Sequence, residues 1–243
     1  MKQNLQLKVD DESFLEDHDS YRRLVGRLIY LKITRPNITY SLHVFSQFMQ
    51  TPRKPHLDAT QPVLRYLKAT LGHGILLPSA SDLMITAYSD SNWASCPMPR
   101  CSTTGYIVFL GTSPISWRTK KQNTVARSSA ESEYRSIATS SCELTWLKFL
   151  LIDLGVSHSR PMHLHCDNQA ALHIAVNHVF HERTKRIELD CHLIWEKIQS
   201  SLISTSYVPS RCQLADIFIK PLGCAQFHLL LFKLGVTCLH ASA

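Results

Sequence analysis

The chain is predicted to be an α/β protein. A mixed five-stranded sheet flanked by helices should follow a small, mostly helical segment. Three observations carry this expectation. From Tyr21 to about residue 80, apolar residues recur at helical spacing and no acids cluster. From Leu83 onward, short runs with strand character alternate with turn residues and then with helical runs. Strands joined by a few residues pair antiparallel, whereas strands joined across a helix run parallel, so this order gives a mixed sheet.

Composition bounds the possibilities. Of 243 residues, 44% are hydrophobic and 19% charged, which supports a core and argues against disorder. The formal net charge of +7 and a pI of about 9.0 favour a polyanionic partner, nucleic acid first. The 8 cysteines include no CxxC pair, which disfavours a zinc ribbon. The start lacks the apolar run of a signal peptide, and no stretch is long and apolar enough to span a membrane. An intracellular, reduced protein with no membrane partner is expected.

Residues 1–20, polar and acidic around Asp10-Asp11-Glu12, are expected to form a loose arm. From Tyr21, a helix is marked by Leu24, Val25, Leu28, Ile29 and Leu31. Arg35-Pro36-Asn37 ends it, because the residue before proline avoids helical geometry. A second helix runs from Ile38 to Phe48, and a third from His56 to about Thr70. Leu71-Gly72-His73-Gly74 stops the third, and Ile75-Leu76-Leu77 reads as a strand. Residues 21–80 form the expected helical segment.

The second block, residues 83–223, opens with Leu83 to Asp90, a strand by its alternation. Gly105 to Gly111 is the next strand, and Pro114 to Thr119 its antiparallel partner. A long helix starts near Ser129 and ends at Leu154-Gly155. Pro161 to Asp167 is a strand, Asn168 to Val176 and Ile187 to Leu202 are helices, and Ile203 to Val208 is the last strand. Gln213 to Ile219 is a short helix closed by Pro221, and residues 224–243 are expected to form a C-terminal helix or tail.

Four acids occupy telling places in this block: Asp90 and Asp167 at strand ends, Glu133 early in the long helix, and Asp216 in the short one. Any one of them is an ordinary surface acid. Four carboxylates on four elements suggest a divalent-metal site. Helix geometry separates Glu133 from Glu131. Ser128-Ser129-Ala130-Glu131 fits a capping box, so Glu131 should reach back. At about 100° per residue, Tyr134, Ile137, Ala138, Leu144, Leu147 and Leu151 define the inward stripe, and Glu133 falls on it. An inward carboxylate needs a partner, either a metal ion or a paired group. Asp90 and Asp167 emerge at one sheet edge if their strands are parallel neighbours. Asp167 has a second candidate role as N-cap of the following helix.

Several motifs occur in order: Tyr88-Ser89-Asp90, Ser128 to Tyr134, Cys166-Asp167-Asn168-Gln169-Ala170-Ala171, Arg183 to His192, and Gln213-Leu214-Ala215-Asp216-Ile217. Together they resemble the ribonuclease H domain of copia-type LTR retrotransposon Pol polyproteins. Tyr21 to Gly26 and Thr34 to Ile38 resemble the segment connecting reverse transcriptase to that domain. The resemblance covers roughly Tyr21 to Val236. It implies a ribonuclease H-like sheet with Asp90, Glu133, Asp167 and Asp216 as catalytic, metal-binding acids. It also implies two Mg²⁺ ions, or Mn²⁺, and endonucleolytic hydrolysis of the RNA strand of an RNA–DNA hybrid. The hybrid is the expected partner, with the polymerase part of the parent polyprotein as a second. The expected setting is a cytoplasmic virus-like particle or the nucleus. Lys120, Lys121, Arg127, Arg183, Lys185 and Arg186 are candidate backbone contacts.

The chain departs from the family pattern at several points. Asn92 stands where the family usually has Asp, Arg186 where it has His, and Ile219 where it has Thr. Ser210-Arg211-Cys212-Gln213 lacks the histidine that many ribonucleases H carry before the last acid; His181 and His192 are candidate substitutes. Asp10-Asp11 lacks the hydrophobic setting of a polymerase aspartate pair, so no reverse transcriptase activity is expected. The alternative reading is a catalytically inactive transposon remnant that binds nucleic acid or protein. A secreted binding protein is a more remote alternative.

Overall fold

The computed structural model describes residues 7, 14–96, 100–177 and 187–238. The chain forms two compact units: Met1–Leu76 with Lys220–Ala243, and Leu77–Ile219.

The first unit opens with α1 (His18–Leu31), α2 (Thr39–Ser46), α3 (Lys54–Asp58), α4 (Gln61–Ala69) and β1 (His73–Ile75). The helix expected from Tyr21 begins three residues earlier, inside the expected arm. Asp17 is the reason: its side chain accepts the Ser20 N–H at 2.9 Å and caps the first turn. The third expected helix is two, α3 and α4. Pro62 lies in the first turn of α4, and a proline there cannot continue the hydrogen bonding of a helix begun upstream. Tyr21, Val25, Leu28, Ile38, Leu42, Phe45 and Val63 form the core. The buried Tyr21 hydroxyl is satisfied by donating to Phe45 O at 2.8 Å.

The second unit carries β2 (Ile85–Asn92), β3 (Thr103–Leu110), β4 (Ser113–Lys121), α5 (Ser129–Asp153), β5 (Met162–Cys166), α6 (Gln169–Val176), α7 (Glu188–Gln199), β6 (Ile203–Tyr207) and α8 (Asp216–Ile219). Among the described residues, five strands form one sheet in the order β4-β3-β2-β5-β6. β2, β3 and β4 pair antiparallel, while β5 runs parallel to β2 and β6 parallel to β5. This is the mixed five-stranded sheet expected from the order of links. Gly111 turns β3 into β4 at φ +57°, and a Cβ there would collide with Ser81 and Asp82. Ile85, Ala87, Val108, Met162 and Leu164 present one face of the sheet to Tyr134, Ile137, Leu144, Leu147 and Leu151 of α5.

The first unit is completed by α9 (Cys224–Lys233) and β7 (Val236–Cys238). β7 pairs antiparallel with β1, Ile75 opposite Val236. The helix or tail expected over residues 224–243 is, in its described part, the helix α9 followed by the strand β7. The boundary falls at Lys220 rather than after residue 223. The β1 pairing explains the difference: it ties the Val236 segment into the first unit through backbone hydrogen bonds.

Candidate active site

Small hydroxyl residues set α5 on β2. Ser132, Ser136 and Ser140, four residues apart, are all buried. Ser91 Oγ donates to Ser132 Oγ at 2.7 Å. Ser136 Oγ lies 2.7 Å from Ser89 Oγ and donates to Asp90 O at 2.8 Å. Ser140 Oγ lies 2.9 Å from Ser89 Oγ. Small side chains let the helix approach the strand, and these bonds satisfy the buried hydroxyls. The approach delivers Glu133 to the end of β2, where Glu133 Oε1 accepts the Ser91 N–H at 3.2 Å.

Glu131 turns the other way. Ser128 caps α5 by accepting the Glu131 N–H at 3.1 Å. Glu131 reaches back to the Arg127 N–H at 2.8 Å, one residue beyond the cap, and also pairs with Arg135 at 2.8 Å. It is therefore engaged at the helix start, while Glu133 is only 5% exposed.

The Glu133 carboxyl is held well above the ordinary carboxylate range. Burial is the main cause, followed by the negative charge of Asp90, a hydrogen bond with Asp90, and the charge of Asp167; the Ser91 N–H opposes them. Asp90 is 1% exposed. Asp167 directly follows β5, and its Oδ2 accepts from Ser210 Oγ at 2.7 Å. The N-cap role falls to Asn168, whose Oδ1 accepts the Ala171 N–H at 3.0 Å. Asp167 is thus not the cap of α6.

Ligand atoms of Glu133, Cys166 and Asp167 all lie within 4.8 Å of one another. Asp90 joins this group through Glu133. Cys166 escaped the sequence reading. Its thiol donates to Glu133 Oε2 at 3.8 Å, and burial together with the nearby acids keeps it protonated. Its position next to Asp167 was the one signal available.

Asp216 is buried at the start of α8, outside the 4.8 Å group. Three hydrogen bonds fix that helix and its approach. Gln213 Nε2 donates to Ser89 O at 3.0 Å, Thr119 Oγ1 to Phe218 O at 3.1 Å, and Asn92 Nδ2 to Ile219 O at 3.0 Å. Gly105 makes room: a Cβ there would lie 2.6 Å from Ile219 Cγ2. Gly105 is the ladder partner of Asp90, so α8 rests over the same end of β2. Asn92 can make its bond because it has an N–H to donate; an ionised Asp has none.

Lys120, Lys121 and Arg135 line a cleft of about 670 Å³, and Arg127 is exposed. His192 is exposed on α7. Arg183, Lys185, Arg186 and His181 lie outside the described residues. The clustered carboxylates are hard oxygen donors, and Glu133 is both buried and faced by the charges of Asp90 and Asp167. Both properties fit a hard divalent cation.

A five-stranded α/β sheet with a carboxylate junction at its edge defines the class of protein. Comparison with known proteins makes the assignment particular. The chain is 45% identical to the retrovirus-related Pol polyprotein from transposon RE1 of Arabidopsis thaliana, over 92% of this chain and 15% of that protein. It is 33% identical to the retrovirus-related Pol polyprotein from transposon TNT 1-94 of Nicotiana tabacum, over 86% of this chain and 16% of that protein. The chain belongs to the family of retrovirus-related Pol polyproteins of copia-type transposons. It spans about 15% of the length of these relatives. The crystal structure of RNase H1 from the archaeon Halobacterium salinarum is a distant likeness, with a TM-score of 0.33 and 14% identity over 54% of this chain and 90% of that one. No family model matches the chain.

Proposed function

We propose that this chain hydrolyses the RNA strand of RNA–DNA hybrids by divalent-metal catalysis, as part of a retrotransposon Pol polyprotein. The observation that carries the reading is the junction of Asp90, Glu133 and Asp167, where burial and the neighbouring charges of Asp90 and Asp167 raise the proton affinity of Glu133. Asp90, Glu133, Asp167 and Asp216 would hold two Mg²⁺ ions, with Mn²⁺ as a substitute. Bound ions supply an activated water and neutralise charge at the scissile phosphate.

The chain's own groups orient the carboxylates. The Ser91 N–H aims Glu133, Ser210 aims Asp167, and Gln213, Thr119 and Asn92 fix the helix of Asp216. Lys120, Lys121, Arg127, Arg183, Lys185 and Arg186 would meet phosphates, and the 2′-hydroxyl would mark the strand to be cut. The helical unit would serve as the connection to the polymerase part of the polyprotein. The activity belongs inside the cell, in a cytoplasmic virus-like particle or the nucleus.

The test is hybrid cleavage in Mg²⁺, wild type against Asp167→Asn. Loss of cleavage by orders of magnitude is expected, with hybrid binding retained and weakened by salt. A wild type that neither cleaves nor gains melting temperature with Mg²⁺ or Mn²⁺ would overturn the reading in favour of an inactive remnant.

A further inference from the structure

β5 carries two histidines that take no part in the acid cluster. His163 and His165 alternate with Met162, Leu164 and Cys166, which are buried on the α5 side. Both histidines therefore share the opposite face of the sheet. Each is half-buried. Across the parallel ladder to β6, His163 stands opposite Ser204 and His165 opposite Ser206. His163 Nδ1 lies 2.8 Å from Ser204 Oγ, and His165 Nδ1 lies 2.7 Å from Ser206 Oγ. The Tyr88 ring packs on His165 with centroids 4.8 Å apart. Among the described residues, neither imidazole makes another hydrogen bond.

A serine hydroxyl can accept an Nδ1–H, which leaves the Nε2 lone pair as the outward donor. Metal-binding histidines are held in this way, their second nitrogen bonded to a neighbour that fixes tautomer and ring angle. Here the neighbour is repeated at the same spacing on the next strand. The ladder that aligns the serines also aligns the rings.

We infer that His163 and His165 form a chelating site for an imidazole-preferring divalent transition ion, of the Zn²⁺, Ni²⁺ or Cu²⁺ class, with water in the remaining positions. Imidazole nitrogen suits these ions and not Mg²⁺, which takes oxygen ligands. The site is separate from the carboxylate junction and does not depend on the hydrolytic reading. Serine anchoring lowers the rotamer entropy that two exposed histidines would lose on binding.

The experiment titrates Zn²⁺ and Cu²⁺ into the full chain near neutral pH, with calorimetry for both ions and electron paramagnetic resonance for Cu²⁺. One nitrogen-ligated ion per chain, reversed by EDTA, is expected beside any ion held at the carboxylate junction, with nitrogen hyperfine structure on the copper signal. His163→Gln and His165→Gln should each weaken binding at least about tenfold. Ser204→Ala and Ser206→Ala should each weaken it about tenfold through the rings they orient. Glu133→Gln should leave it unchanged. Circular dichroism checks that each variant is folded. If a histidine variant fails to fold, the wild-type copper spectrum decides, because coordination without nitrogen overturns the site. No nitrogen-ligated ion in wild type, affinity unchanged from wild type in either histidine variant, or loss of the nitrogen-ligated ion in Glu133→Gln would each overturn it as well.

Discussion

The two halves of α5 lie on the same sheet by different means. From Leu144 to Leu151 the helix packs through leucines against the apolar core. From Ser132 to Ser140 it adds, beside Tyr134, Ile137 and Ala138 of the same core, hydroxyls bonded to β2. Apolar burial stabilises strongly but tolerates small shifts in position: a buried leucine contributes about 1.5–3 kcal/mol whichever neighbours it meets. A hydrogen bond contributes less, about 0.5–1.5 kcal/mol net, but fixes a direction and a partner. The half that presents Glu133 adds directional contacts to its apolar ones. The half from Leu144 to Leu151 meets the sheet core through apolar contacts.

Three substitutions would break or sharpen this contrast. The largest effect is expected at the apolar end, where Leu144→Ala should cost about 2–5 kcal/mol in urea unfolding. It should leave any Mg²⁺-dependent cleavage per folded molecule near wild type. A cost under about 1 kcal/mol would show that the leucine half does not carry the stability assigned to it.

At the hydroxyl end, Ser136→Ala should cost less, about 1–3 kcal/mol, since it strands the partners of one buried hydroxyl. Its effect on hybrid cleavage should nevertheless exceed that of Leu144→Ala when both are assayed fully folded. Equal effects would erase the distinction between position and stability.

The smallest effect is a gain. The folded Glu133 carboxyl binds its proton more tightly than the unfolded one, whose ordinary value is 4.5. The stability linked to that proton is full below this value and is lost as pH rises toward the folded pKa. Glu133→Gln removes the ionisation. Without metal it should therefore be more stable than wild type at neutral pH, by about 1 kcal/mol or roughly 2–4 °C in Tm. The difference should shrink to nothing in acid. A pH-independent difference in melting scans would refute the assigned cause.

The sheet was legible in the sequence because strand alternation and link length are local signals. The inward turn of Glu133 was legible for the same reason: its angle on the helix follows from the leucine stripe. Other features depend on neighbours that no local pattern reveals. Asp167 and Asn168 are equally good caps, and only the fold shows that Asn168 takes the role. The part played by Asn92 depends on where α8 docks. The thiol of Cys166 meets Glu133 only because α5 and β5 converge at one edge. Pro62 marks the break between α3 and α4, against an apolar periodicity that runs through both helices.

The pairing of β1 with β7 also fixes an order of maturation during synthesis. Ile75 leaves the ribosome 161 residues before its partner Val236. At typical elongation rates this delay is roughly 10–30 s, long compared with the folding time of a small domain. The sheet from Ile85 to Tyr207 can close within that interval. β1 meanwhile waits with an open strand edge, a template for foreign strands until its own arrives. In a nascent chain the α/β unit is finished first, and the helical unit that began earlier is sealed last.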